Sequence, residues 1–389
     1  MSLSHAAWIP GLMAFIEAHR DDEVQFVIDL AHQNSYSHHK AGTDRVAAMV
    51  LERLEGMFPH HRVERREEVG DLHILATVEE GPAVYLLGHM DTVFPPDHPF
   101  RECRVEGDRL HGPGCGDMKA GIATIVYACL ALHDAGLLDG IPLRVVLGGD
   151  EEIGAVTSRP VYEVERERAL ACLVVEGAGD QGEIVVSRNG KLGGRVDCRG
   201  RDQHVGARDL KKASAVLELA HKIVGLEGLN GTLPGVRLNV GRVEGGLGPA
   251  TVPAEAQALL DVRWEEQAVR DELMDRIHSV VDREDVEGCR SRLTVLNERG
   301  AWPWTVDTQR LADLVRSVAG ELGDPIGQEH RMGTSDSNFF GSAGVPTVDG
   351  LGPICKGYHT PEEFVYISSI PRRTALLAAA LPAVAEAFG

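Results

Sequence analysis

Three short, mostly apolar runs constrain this chain more than anything else in it. Residues 83–87 (Ala-Val-Tyr-Leu-Leu), 143–147 (Leu-Arg-Val-Val-Leu) and 171–175 (Ala-Cys-Leu-Val-Val) each have the length of a buried strand. Each stops at glycine or an acid: Gly88 before His89, Gly148-Gly149 before Asp150, and Glu176. Helical patterns lie between and before them. Residues 43–57 space Val46, Val50, Leu51 and Leu54 at helical intervals, and residues 120–135 are rich in Ala, Ile and Leu. Short continuous strands alternating with helices predict an α/β fold with a mostly parallel sheet. In such sheets ligand groups gather past the carboxyl ends of the strands. His89, Asp150, Glu151, Glu152 and Glu176 all follow such ends.

The pattern changes near residue 188. Residues 193–198, 236–243, 256–264 and 290–297 read as strands, and residues 213–225 and 269–281 as helices. The order β-α-β-β-α-β is the ferredoxin-like arrangement. After Trp302 the first pattern resumes, with a helix at 308–322, a strand near 345–348 and a C-terminal helix opening on Pro371. A chain of 389 residues exceeds what one core organises. The reading is therefore a catalytic α/β domain from residues 1–187 and 303–389, with a smaller α+β domain, 188–302, inserted into it.

Four segments concentrate acids and imidazoles beside glycine: Gly88 to Thr92 (Gly-His-Met-Asp-Thr), Gly116 to Gly121 (Gly-Asp-Met-Lys-Ala-Gly), Gly149 to Gly154 (Gly-Asp-Glu-Glu-Ile-Gly) and Gly357 to Thr360 (Gly-Tyr-His-Thr). Such groups are costly to bury unless something binds them, and a divalent cation is the usual partner. Each segment also has an ordinary reading. His89 and Asp91, two apart in extended backbone, point the same way and serve equally as a hydrogen-bonded pair. Asp117 sits where a helix cap belongs. An acid triplet is usually solvated, although rarely after Arg-Val-Val-Leu-Gly-Gly. Adjacent Glu151 and Glu152 suit a division of labour, one binding metal and the other taking a proton from water. Cys115 reads as a packed small side chain rather than a soft ligand among hard ones.

The totals exclude several classes. Lys and Arg number 39 against 59 Asp and Glu, a formal charge of −20, which repels nucleic acid and anionic membrane surfaces. The seven cysteines are scattered, with no Cys-x-x-Cys, which suits a reducing compartment and predicts a cytoplasmic protein. The first residues show no basic leader or cleavage site, and no 18-residue apolar stretch is expected to span a membrane.

The ordered motifs His89-x-Asp91-Thr92, Asp117-Met118-Lys119-x-Gly121 and Asp150-Glu151-Glu152-x-Gly154 resemble those of the M20 family of di-zinc peptidases and deacylases, over nearly the whole chain. The likeness is greatest to glutamate carboxypeptidases of the carboxypeptidase G2 type. The resemblance implies two Zn2+ per subunit, with Co2+ or Mn2+ acceptable to the same ligands. By position, His89 and Glu176 would hold one ion, Glu152 and His359 the other, and Asp117 both. Glu151 would be the general base, and Asp91 would orient His89. A cis peptide after Asp117 is also implied. His204, in Gln-His-Val-Gly, would reach the site of the second subunit in a homodimer formed through the inserted dimerisation (lid) domain. Arg263, Arg299 and Ser335 would bind the substrate carboxylate, although the residues alone favour a surface-turn role for His204 and allow Arg263 a salt-bridge role equally well. One departure is Ala250-Thr251-Val252-Pro253, where the family often carries Asn.

The reading that follows is a di-zinc hydrolase of small peptides or N-acyl amino acids, cutting an amide next to a free carboxylate and releasing glutamate or a similar residue. The alternative is a deacylase of the acetylornithine deacetylase or succinyl-diaminopimelate desuccinylase type. The rival from another class is a non-catalytic metal-bound binding protein, which would be expected to have lost Glu151 or a ligand.

Overall fold

A computed structural model describes residues 7–389. The first six residues, which carry part of the leaderless N-terminal reading, lie outside the described ones. The chain forms two compact units. One comprises the chain up to Ser187 with Trp304–Arg331 and Ser335–Gly389; the other comprises Arg188–Pro303 with Met332–Thr334.

The first unit is built on a six-stranded sheet. In spatial order its strands are His60–Glu64, Leu72–Ala76, Leu143–Gly148, Ala83–His89, Ala169–Val174 and Thr347–Val348. The last four are mutually parallel. The first two are antiparallel additions, so the sheet is mixed. Strand Ala83–His89 is buried along its whole length, and its side chains divide with the period of two that a pleat imposes. Val84 and Leu86 face a core that includes helices Ala120–Asp134 and Ser369–Phe388. Tyr85 and Leu87 face a second cluster with Val146, Val174, Tyr162 and Phe340. Truncating a residue such as Leu86 to alanine would cost about 2–5 kcal/mol.

The helical run Cys115–Asp134 is long and apolar enough to cross a membrane by length and composition, contrary to the expectation that no such stretch exists. Its apolar window is 89% buried inside the protein, which accounts for its composition as that of a core helix.

The second unit carries a four-stranded antiparallel sheet in the order Arg237–Gly245, Glu255–Trp264, Gly190–Arg199, Arg290–Arg299. Strand Gly190–Arg199 alternates buried and half-buried residues, as a sheet covered on one face should. Leu192 and Val196 join Leu219 and Leu226 of helix Ala215–Glu227 and Leu273 and Ile277 of helix Gln267–Val281 in one core. Ser214 opens the first of these helices, its hydroxyl accepting the amide of Leu217. At the start and end of this unit, Arg188 and Trp302 exchange both backbone hydrogen bonds, at 2.9 and 3.0 Å.

Candidate metal centre

The register of the parallel strands assembles the site. His89 pairs with Gly148, so those two strands end level, and Val174 ends its strand opposite Leu87, two residues earlier, so that Glu176 follows at about the level of His89. The chain then turns immediately. Asp150, Glu151 and Glu152 enter a short 3-10 turn ending at Gly154, and Glu176 follows two residues after its strand. Asp117 enters from a glycine-rich loop. Gly116 is required there, because a side chain would meet Cβ of Cys355 at 2.7 Å. The Asp117–Met118 peptide is cis, as the resemblance implies. Asp117 is not the cap of the helix that follows: Lys119 holds that position before Ala120–Asp134, and the backbone at Asp117, with φ −124° and ψ 90°, is extended. His359 arrives from the far end of the chain with a φ of 61°, an uncommon conformation for a residue other than glycine.

Two groups of ligand-type atoms result, each within 4.8 Å: His89, Asp117 and Glu176, and Asp117, Glu152 and His359. Asp117 belongs to both. Its Oδ1 lies 3.1 Å from His89 Nε2, and its Oδ2 lies 3.1 Å from His359 Nε2. Glu176 Oε1 is 3.5 Å from the first imidazole nitrogen, and Glu152 Oε2 is 3.1 Å from the second. The His359 side chain is 52% exposed while that of His89 is 1% exposed, so the cluster opens to solvent at His359.

The electrostatics are those of crowded carboxylates. Burial pushes Glu176 up to about 7, and the charge of Asp117 adds to it. Burial and then Asp117 also raise Glu152 well above the usual carboxylate range. His359 is driven up to about 11 by its hydrogen bonds to Asp117 and Glu152. Among the described residues, Glu152 Oε1 is buried with no hydrogen-bond partner. An orphaned buried carboxylate oxygen beside hard oxygen and imidazole donors fits a divalent cation of the zinc type.

Asp91 ties the cluster together. Its Oδ1 accepts the amide of Glu151 at 3.1 Å and lies 3.4 Å from His89 Nδ1. Its Oδ2 accepts the amide of Glu152 at 3.2 Å and the hydroxyl of Ser37 at 2.6 Å. Asp150 is fully committed elsewhere. Its carboxylate accepts the amide and hydroxyl of Thr157 at 2.7 and 2.8 Å, and both the amide and hydroxyl of Ser158. That leaves Glu151 as the acid of the triplet to consider as a proton acceptor.

Two contributors had no sequence signal of their own. Glu363 is fully buried and its carboxylate accepts the amides of Gly114, Gly116 and Asp117 at 3.0, 2.8 and 3.0 Å, fixing the Asp117 loop from behind. Ser37 reaches Asp91 from a turn before the Lys40–Arg53 helix. The only local hint for Glu363 is its place four residues after His359.

The remaining sequence candidates are not members of these two ligand groups. Ser335 is buried, its hydroxyl hydrogen directed to Asp349 at 2.7 Å and its oxygen 2.6 Å from Ser337 Oγ. That hydroxyl has no second hydrogen for a substrate carboxylate and serves the loop itself. His204, Arg263 and Arg299 belong to the second unit. His204 is exposed, pairs across a two-stranded ladder with Thr251, and accepts the Gly206 amide on Nδ1 at 3.0 Å. Arg263 donates through Nε to Asp261 at 2.7 Å and through Nη1 to the Met332 carbonyl at 3.1 Å. Arg299 is buried and ends its strand opposite Lys191.

Comparison with known proteins agrees with this chemistry. The family model for peptidase family M20/M25/M40 matches residues 85–383. Carboxypeptidase G2 from Pseudomonas sp. (strain RS-16) is 28% identical over 301 residues, covering 75% of this chain and 72% of the relative. A succinyl-diaminopimelate desuccinylase from Alkalilimnicola ehrlichii is 30% identical over 306 residues, covering 74% and 80%. Among solved structures, the M20 family metallo-carboxypeptidase Sso-CP2 from Sulfolobus solfataricus superposes with a TM-score of 0.73 at 17% identity, covering 94% of this chain and 99% of that one.

Proposed function

The chain belongs to peptidase family M20/M25/M40 and is a metal-dependent hydrolase, and from that premise we propose that it uses two divalent cations, zinc first among them, to cleave an amide joining an acyl group to an α-amino acid. The carrying observation is the division of Asp117, with one oxygen 3.1 Å from His89 Nε2 and the other 3.1 Å from His359 Nε2. In this reading His89, Asp117 and Glu176 hold one ion, and Asp117, Glu152 and His359 the other. When bound, the cation pair polarises the scissile carbonyl and activates water. Glu151 takes a proton from the attacking water and returns it to the departing nitrogen. Asp91 holds the Glu151 turn and His89 in one frame through the contacts described above.

Arg263, already fixed in plane by Asp261, grips the substrate carboxylate, with Arg299 supporting it. We assign the leaving group as glutamate or a similar amino acid, on the likeness to carboxypeptidase G2. The desuccinylase likeness supports a second reading, removal of a succinyl group from an amino acid. The test is metal analysis of the purified protein followed by parallel assays on N-acyl-glutamates and N-succinyl-diaminopimelate. Glutamate release identifies the first reading and succinate release the second. A protein binding fewer than two ions per chain and releasing neither refutes both.

We further propose a homodimer formed through residues 188–302. Its support is the unpaired edge strand Arg237–Gly245 with exposed Val243, and the exposed Val216, Leu217 and Val224 on helix Ala215–Glu227. A cytoplasmic setting is supported by seven free cysteines, six of them buried.

A further inference from the structure

Cys355 sits where three ligand-bearing loops of the metal centre meet. It is 3% exposed and opens the short strand Cys355–Lys356, which pairs with Phe364–Tyr366. Its sulfur lies 3.4 Å from the carbonyl of Gly116, the residue before Asp117. It lies 3.2 Å from the hydroxyl of Tyr358, the residue before His359. It also packs on Gly177, the residue after Glu176, where a Cβ would meet the sulfur at 2.3 Å and the Tyr358 hydroxyl at 2.4 Å. Glycine in two ligand loops therefore leaves the space that this one side chain fills.

The hydrogen bonding makes a link of it. The thiol has one hydrogen and two oxygens within reach. Burial pushes it well above its ordinary pKa, so it keeps that hydrogen. Given to the Gly116 carbonyl, the hydrogen leaves the sulfur to accept from the Tyr358 hydroxyl, and both contacts are made at once. The three loops differ in what else holds them. The Asp117 loop is held by Glu363 through three amides. The carbonyls of Glu176 and Gly177 accept the Gly352 amide at 2.9 Å and Arg331 Nη1 at 2.8 Å. The His359 turn needs a comparable hold. His359 has a φ of 61°, an uncommon conformation that surrounding contacts must maintain. Its side chain is half exposed, so packing on the imidazole does little to fix it.

We propose, on the basis of the two-ion reading above, that Cys355 acting through Tyr358 is a positioning residue of the metal centre, setting the His359 turn against the loops of Asp117 and Glu176. The consequence is selective. Cutting the link weakens the site of Asp117, Glu152 and His359, while the site of His89, Asp117 and Glu176 keeps its separate supports.

The experiment titrates Zn2+ into the full-length, metal-free protein in competition with a chromophoric chelator. Wild type is expected to bind two ions. His359→Ala is expected to lose one binding step, which marks the step belonging to that site. Cys355→Ala is expected to weaken the marked step about 10–100-fold, the usual cost of removing a residue that supports a ligand, and to leave the other within about twofold. Tyr358→Phe keeps the ring and is expected to weaken the marked step about 3–10-fold, the worth of one neutral hydrogen bond. Cys129→Ala, the same truncation in the buried core helix Ala120–Asp134, is expected to lower Tm and to change neither step. Both steps unchanged in Cys355→Ala, or both weakened alike, overturns the proposal. So does an unchanged marked step in Tyr358→Phe, or a Cys129→Ala protein that loses the marked step as Cys355→Ala does. With two ions bound in wild type, those results leave the two-ion reading standing. A wild type that binds fewer than two ions overturns that reading and this proposal with it. If Cys355→Ala does not fold, Tyr358→Phe decides alone.

Discussion

Replacing Asp91 by asparagine isolates the link between metal grip and the Glu151 turn. The carboxylate serves two sets of donors. Oδ1 takes the Glu151 amide at 3.1 Å beside His89 Nδ1 at 3.4 Å, and Oδ2 takes the Glu152 amide at 3.2 Å and Ser37 at 2.6 Å. Asparagine has one acceptor oxygen, so whichever way it turns, its NH2 faces donors. His89 Nδ1 keeps one partner, the Asp91 carbonyl at 3.0 Å, and with it its tautomer. The loss therefore falls mainly on the 151–152 turn. Hydrogen bonds to a charged group are worth about 1.5–3 kcal/mol each. Loss of a residue supporting a ligand typically costs about 10–100-fold in metal affinity, and the retained carbonyl places the expected loss near tenfold. Misplacing Glu151 by about 1 Å is expected to cost about 10²-fold in kcat even with metal saturating. Chelator competition measures the first quantity and turnover at saturating metal the second. An unchanged affinity together with kcat within twofold of wild type would refute the coupling.

Three further outcomes are expected. Glu151→Gln should keep its metal content and lose about 10²–10⁴-fold in turnover, the usual worth of a general base; substantial residual activity would assign that role elsewhere. Glu23 is 1% exposed, and burial raises its carboxyl from 4.5 to about 8 against the opposing hydrogen bond from Thr374. A raised acid favours the folded state only while protonated, so wild-type stability should fall from this group between roughly pH 4.5 and 8. Relative to Glu23→Gln in urea unfolding, the loss from pH 5 to pH 8 should be a few kcal/mol, and parallel curves for the two proteins would show that Glu23 is not so perturbed. His204→Ala should lower kcat without removing metal, and mixing it with Glu151→Gln should restore part of the activity; a fully active, monomeric His204→Ala would end the shared-site idea.

The parallel strands were readable because their residues are apolar on both faces, and a strand such as Ala83–His89, buried throughout, leaves few alternatives. The acids beyond their ends were conspicuous for the same reason. Strand His60–Glu64 was not readable: it is an edge strand, half-buried at most, and its sequence His-His-Arg-Val-Glu has no apolar period. Leu72–Ala76 is buried but broken by His73, whose ring lies against His61 with nitrogens 3.1 Å apart. Within the candidate site, His89, Asp117 and Glu152 announced themselves by motif. Glu363 did not, because the amides it holds are 246 to 249 residues away and a backbone amide leaves no trace in a sequence. Ser335 shows the opposite limit. A hydroxyl next to an acid looks available in sequence, and only packing reveals that Asp349 has already taken its hydrogen.

The paired backbone bonds between Arg188 and Trp302 bring the two ends of the second unit together like the ends of a hairpin. To the chain on either side, the residues between them amount to a detour that starts and finishes at nearly one point. Closing so long an excursion costs an entropy that grows only logarithmically with its length. The detour can therefore lengthen, shorten or change its surface while the strand ends that carry His89, Glu152 and Glu176 keep their register. Whatever partner or substrate the second unit comes to recognise, the two Asp117 oxygens need not move to accommodate it.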